Sequence, residues 1–252
     1  MTASQKDFEY IYNIFSSNIA KKLDCGSICA PLNEGQPVCC STENAIPVVE
    51  KEEWRLLKSR TDMWKKFKPF DKASKKIVDE LPSSTCAVEC KGAAFCEREN
   101  RSLACRSFPF FPYFDTKGYL LGLSCYWEFE DRCWVISNLH IVEKKFVNEM
   151  IDAYEFLFKK DEDQYEAFFD ESRRMRKVFS RRNEPIQIIT RDMDYLLVLP
   201  KSKGRVIKTD SSSFIPYKPF TSNKQYKKAI KDAGQNPDGF TLPKRPESYL
   251  KF

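Results

Sequence analysis

Ten cysteines in three tight groups are the residues of this sequence whose type and spacing could do chemistry. Cys25, Cys29, Cys39 and Cys40 form the first group, Cys86, Cys90, Cys96 and Cys105 the second, and Cys125 and Cys133 a trailing pair. The 119 residues after Cys133 hold none. Thiols used as small core hydrophobes would be scattered. Thiolates gathered in turn-rich loops are what a soft or borderline metal requires, so the chemistry expected is metal binding. Four thiolates saturate a tetrahedral zinc, and four hold a four-iron cluster. Ten exceed one such site, which leaves two sites, or one site plus structural cysteines. Consecutive side chains diverge in an extended chain, so Cys39 and Cys40 need a turn, or a centre with several metals, if they are to act together.

Ten cysteines could also make disulfides in an exported chain. The first ten residues show no apolar run behind a basic start, which predicts no export signal. The expectation is a cytoplasmic chain with reduced thiols. No run of about 18 apolar residues is present, so no membrane partner is expected. Charge is unevenly placed. Residues 201–252 carry 12 Lys and Arg against 4 Asp and Glu, a balance of +8, within a formal net charge of +6 for all 252 residues.

Other chemistries lack their residues. His140 is the single histidine. This argues against a Ser-His-Asp hydrolase and against a two-histidine iron site. His140 itself reads as a cap or packing residue, with a late metal ligand or a base as the alternative. Eight glycines supply neither a Walker A loop nor G-x-G-x-x-G. Asp161-Glu162-Asp163 reads as a solvated helix surface and does not match an EF-hand loop.

The elements that must position the cysteines follow from periodicity. Phe8, Ile11, Tyr12, Phe15, Ile19 and Leu23 predict a helix over 5–23. A second is predicted over 48–68, with Trp54, Leu57 and Trp64 inward and Pro69 ending it. A short helix is expected over 72–80, then an irregular stretch over 85–114, which a bound metal would order. Residues 118–127 predict a strand carrying Cys125, with Trp134–Ser137 pairing to it. Residues 139–182 are the strongest helical stretch, interrupted or bent at the acidic run. Strands are predicted at 186–190, 195–199 and 205–208. Beyond Ser211 the chain reads as an extended or packed-on tail with a helical turn near 223–232.

The segment from Cys25 to Cys40, and the later one containing Cys90, Cys96 and Cys105-Arg106-Ser107-Phe108-Pro109, together resemble the CxxCxxCC cysteine-cluster family of zinc- or iron-chelating proteins. The resemblance covers about residues 24–113. It implies Cys25, Cys29, Cys39, Cys40, Cys90, Cys96 and Cys105 as ligands. Cys86 could replace or join Cys90, and Cys125 and Cys133 lie beyond the matched segment. Arg106, Phe108 and Pro109 match the closing signature, and Arg101 approximates an internal arginine. The sequence departs in its first gaps, of three and nine residues, in Arg98-Glu99 after Cys96, and in Ser102. A relative, flagellin lysine-N-methylase, implies an S-adenosylmethionine-dependent activity, but no glycine-rich methyl-donor loop is present.

The fold expected is α+β, mostly helical, with irregular metal-organised cysteine loops, a long central helix and a few short strands. The organisation expected is a cysteine-cluster metal-binding domain (1–138), a helix and short-strand extension packed on it (139–210) and a basic aromatic C-terminal tail (211–252). The function expected is a cytoplasmic metal-binding protein with a structural, redox or protein-modifying role, enzymatic or not. The resemblance tips the cofactor toward an iron–sulfur cluster or iron, with zinc the alternative. Cofactor contact falls to Arg106, whose charge would offset the thiolates. Phe108, Phe110, Phe111, Tyr113 and Phe114 would shield the centre. The rival is a non-catalytic zinc module binding nucleic acid or an acidic partner through Phe214, Tyr217, Phe220, Tyr226, Phe240 and Tyr249 among the lysines. A protein substrate is a further partner class, and nucleic acid is the less favoured one.

Overall fold

Ser4 and Asp7 exchange hydrogen bonds in a capping box that starts helix α1 (Gln5–Ile14). The computed structural model describes residues 2–21, 23–211, 214 and 218–243. Phe8, Ile11 and Tyr12 of α1 are buried. The helix ends before the apolar spacing does. Phe15 is still buried, but the backbone N–H groups of Ser16 and Ser17 donate to Glu149 at 3.0 and 2.8 Å. The predicted helix over 5–23 is therefore shorter. After it comes the one-turn helix α2 (Gly26–Cys29).

The segment predicted as one helix over 48–68 is strand, helix, strand: β1 (Val48–Glu50), α3 (Lys51–Arg60) and β2 (Trp64–Lys66). Trp64 is buried because its indole N–H donates to the Asn100 carbonyl at 2.8 Å. Helix α4 (Lys72–Asp79) falls where expected, capped by Asp71. Residues 85–114 are not irregular. They form β3 (Thr85–Cys90), two 3-10 turns, α5 (Leu103–Ser107) and β4 (Phe110–Phe114). Strand β3 lies between β1 and β2 in a three-stranded antiparallel sheet.

The fold is α+β with two antiparallel sheets. The second has five strands in sequence order: β4, β5 (Leu120–Cys125), β6 (Ile186–Ile189), β7 (Tyr195–Val198) and β8 (Val206–Thr209). Trp134–Ser137 does not pair with β5. It turns on itself, with Ile136 N–H donating to Cys133 and Ser137 N–H to Trp134. Gly122 permits the β5–β6 approach, because a Cβ there would run into the Ile189 carbonyl.

Helix α6 (Lys144–Lys160) contributes Phe146, Val147, Met150, Ile151 and Tyr154 to the main core. Helix α7 (Glu162–Arg182) packs Met175 and Phe179 with Phe111, Tyr113, Ile186 and Ile188 of the five-stranded sheet. The alternate residues Phe110 and Ile189 join the main core, as the period of two requires. The helices break at Asp161, which is not part of a solvated surface. It is buried and accepts the Ala3 N–H at 3.2 Å, whereas Glu162 and Asp163 are exposed.

The described part of the C-terminal segment is packed into the protein. Helix α8 (Asn223–Asp232), capped by Ser222, buries Tyr226 and Ile230. Phe214, Phe220 and Tyr226 are core residues, unavailable for stacking on a nucleic acid, and Phe240 is exposed. Tyr217 and Tyr249 lie outside the described residues. The main core draws on side chains from Ala3 to Ile230 and joins all three sequence segments. No described helix is long and apolar enough to cross a membrane.

Candidate metal centre

The first cysteine loop is folded by its own turns. Asp24 accepts the Gly26 N–H through Oδ1 at 3.1 Å and the Ser27 hydroxyl through its carbonyl at 2.7 Å. Pro31 sits at the start of a 3-10 turn, Ala30–Leu32. Glu34 and Gly35 at positive φ reverse the chain toward Pro37. A second 3-10 turn, Val38–Cys40, holds the adjacent cysteines, and their Sγ atoms are 4.0 Å apart. This is the turn that lets neighbouring thiols act together.

The second group is set by β3 and the turns after it. Cys86 and Cys90 lie on β3 opposite Val49 and Trp64. The Gly92 N–H donates to Cys90 Sγ at 3.4 Å. Cys96 follows the 3-10 turn Ala93–Phe95 and is exposed. Cys105 lies in α5, where its N–H donates to the Ser102 cap at 3.2 Å. These hydrogen bonds organise both loops.

Cys40 is the common neighbour. Burial is the main cause that raises Cys29, Cys90, Cys96 and Cys105, and the hydrogen bond with Cys40 the main one that raises Cys39; the charge of Cys40 adds to the rise in all five. Cys40 itself is held below its ordinary value, first because the Cys39 thiol donates to it and then because Arg101 is near. Burial pushes Cys25 up to about 11 and Cys105 up to about 12. Cys25 and Cys29 also feel each other or the same acid, Asp24. The buried Cys133 is raised by desolvation and then by Cys29 and Cys25. Cys125, raised by burial, has Cys133 as its charged neighbour. Cys86 stands apart: the charges that act on it are Lys66, Glu53, Lys51 and Glu50. All ten cysteines are free thiols.

The arginine at the thiols is Arg101. Its charge favours the thiolates of Cys40, Cys96 and Cys105, and that of Arg98 the thiolates of Cys25 and Cys96, although burial leaves Cys25, Cys96 and Cys105 raised. Arg106, to which the sequence reading gave that task, is committed elsewhere. It is buried, donates to the carbonyls of Phe15, Glu99 and Arg101, and stacks on Tyr12 with its guanidinium 4.4 Å from the ring centre. Arg98 and Arg101 were visible in the sequence as the cations between Cys96 and Cys105.

The aromatic shield is also redistributed. Phe108 packs edge-on against Phe129, with centroids 4.9 Å apart, and borders a cavity of about 510 Å³. That cavity reaches Cys39 and Cys105, and its charged lining consists of Glu43, Glu50 and Glu53. Phe110 and Phe114 stack on Phe146 and Phe158, while Phe111 and Tyr113 sit under α7. Glu53 is buried and accepts the Tyr12 hydroxyl and the Leu103 N–H, each at 2.6 Å. His140 lies half-buried in the 3-10 turn Leu139–Ile141.

No group of three or more His, Cys, Asp or Glu side chains among the described residues has the geometry to hold a metal ion. The donor set nevertheless suits a thiophilic metal. Zn–S bonds of about 2.3 Å put two sulfurs of one tetrahedral site about 3.8 Å apart, close to the Cys39–Cys40 separation of 4.0 Å. No protein-family model, curated protein or solved structure matches this chain.

Proposed function

We propose that this chain is a metal-binding cysteine-cluster protein of a reducing compartment such as the cytoplasm, with a centre of iron–sulfur or iron type. The observation that supports this reading is the placing of several thiols within electrostatic reach of Cys40. Cys39 lies 4.0 Å away, and Cys29, Cys90, Cys96 and Cys105 all feel its charge. The seven cysteines that carry the resemblance to the CxxCxxCC family belong to this connected set, with Cys25 joined through Cys29. Cys39, Cys40, Cys90, Cys96 and Cys105 would hold the metal, with Cys29 behind them. Metal binding would require movement of the turns that carry Cys39, Cys40 and Cys96 toward Cys90 and Cys105, coupling ligation to the final ordering of the loops.

Bound there, iron or an iron–sulfur cluster supplies electron-transfer chemistry, and zinc would supply a structural crosslink. The protein's own groups prepare the place. Cys39 donates to Cys40 and favours its thiolate. Arg101 offsets the charge that accumulates as further thiols ionise. The cavity that reaches Cys39 and Cys105 leads from the thiols toward the Glu50 side of the molecule and is large enough for a small substrate or a protein side chain.

Anaerobic purification with metal and sulfide analysis and an absorbance spectrum tests this. Iron with acid-labile sulfide and broad visible absorption is the expected result. A colourless zinc protein would overturn the choice of iron, and protein free of stoichiometric metal after supply of both would overturn the reading itself.

A further inference from the structure

On the face of the five-stranded sheet that α7 covers, the C-terminal half of α7 and the turn between β7 and β8 enclose a groove of about 600 Å³. Its floor is apolar, with half-buried Pro200 over the buried Phe179, Ile186 and Val198. Its walls are strongly basic. Arg173, Arg176, Lys177 and Arg181 come from α7, spaced so as to share one helix face, and Lys201 and Lys203 come from the turn. Glu184 is the single carboxylate of the lining, and it faces Arg182, outside the groove, at 3.9 Å.

The rest of α7 provides an internal comparison. Arg174 pairs with Glu171 and Glu128, and Arg182 pairs with Glu130. In the groove, Arg173 pairs with Asp170, and Arg176 donates to Tyr113 and to the Phe114 carbonyl. Lys177, Arg181, Lys201 and Lys203 have no ion pair or side-chain hydrogen bond among the described residues. The turn that carries the lysines is firmly built. Lys201 and Lys203 take positive φ, the Ser202 hydroxyl donates to Leu199 at 2.6 Å, and Gly204 lies close against Thr116.

Four exposed cations without partners among the described residues, around an apolar floor, suit an anion with an apolar body. Multiply charged phosphates pair with Lys and Arg, and the volume is that of a small-molecule site. We propose that this groove binds a small organic polyphosphate of the nucleoside triphosphate class, with the phosphates held by Lys177, Arg181, Lys201 and Lys203 and the organic body on the Phe179–Pro200 floor. The site is separate from the thiols, and its occupation does not depend on the metal reading.

Calorimetric titration of the full chain with adenosine triphosphate, inorganic triphosphate and a single-stranded oligonucleotide, at low and moderate salt, tests it. The expected result is saturable binding of adenosine triphosphate that weakens with salt and is at least tenfold tighter than that of inorganic triphosphate. The double variant K177E/K201E should weaken it at least tenfold. The control K227E/K228E, with the same net charge change on exposed α8 positions, should leave it within about threefold, and circular dichroism should show both variants folded. Absent nucleotide binding, equal affinity for inorganic triphosphate, equal loss in both double variants, or binding of the oligonucleotide alone would each overturn the proposal.

Discussion

The Tyr226 hydroxyl donates to the carbonyl oxygen of Ile28 at 2.7 Å, tying α8 to the loop between Cys25 and Cys29. Tyr226 is buried, and desolvation followed by the nearby Cys29 raises its hydroxyl to about 12, so it remains a donor at any ordinary pH. The first cysteine loop is thus closed from the far end of the sequence.

Removing that hydroxyl should loosen the loop. Tyr226→Phe should cost about 1–2 kcal/mol, the value of a buried hydrogen bond whose acceptor is left unpaired. Amide exchange in residues 25–32 should quicken more than in α6. Unchanged exchange in this loop, alongside a lowered denaturation midpoint, would show that the bond supports α8 alone.

Single thiol replacements should separate the cysteines by place. Cys40→Ser should lower bound metal by more than half, because Cys40 neighbours five other thiols. Cys86→Ser should leave metal content unchanged, since charged side chains rather than thiols surround it. Metal analysis of the two purified variants decides, and equal losses would sink the assignment.

The two arginines should part company. Arg101→Gln should weaken metal affinity about tenfold, as loss of a supporting contact around a metal does, with little effect on unfolding. Arg106→Lys should lower stability by about 2–3 kcal/mol, because an ammonium cannot serve three carbonyls and a ring together. Chelator competition and denaturant unfolding read the two effects. The reverse pattern would return the charge-offsetting role to Arg106.

Glu50 makes stability depend on pH. Burial first, then the Asp161 and Glu53 carboxylates, raise it to about 7, although Gln164 donates to it at 2.6 Å. The folded protein therefore holds this proton more tightly than the unfolded chain does. The contribution is fully present below the unfolded value near 4.5 and is lost as pH rises through about 7. Glu50→Gln should be more stabilising at pH 8 than at pH 4.5, by about 1–2 kcal/mol after solvent screening. Denaturant melts at the two pH values measure this, and a difference of opposite sign would refute it.

Sequence periodicity located burial better than backbone shape. Phe15 and Trp64 were marked as inward residues and are buried, yet neither lies in a helix. A long-range partner captures the backbone beyond Phe15, and an indole hydrogen bond fixes Trp64. By contrast α4, the break at Asp161, β6 to β8 and α8 were legible, because caps, turn residues and local spacing agree there. The burial of Asp161 was not, since its partner is Ala3, 158 positions away. At the candidate site, the turn that Cys39 and Cys40 require was legible, and it is the 3-10 turn Val38–Cys40. The commitment of Arg106 to backbone carbonyls was not, because it depends on where α5 points its side chains against Tyr12 and the Phe15 carbonyl.

The contact between Ile28 and Tyr226 spans 198 positions, and translation at 5–20 residues per second takes about 10–40 s to cover that distance. All ten cysteines, the last of them Cys133, are made before Tyr226, so each waits for part of that interval without the helix that closes the first loop. On the metal-binding proposal, ligation by the first loop in its closed form follows the synthesis of α8.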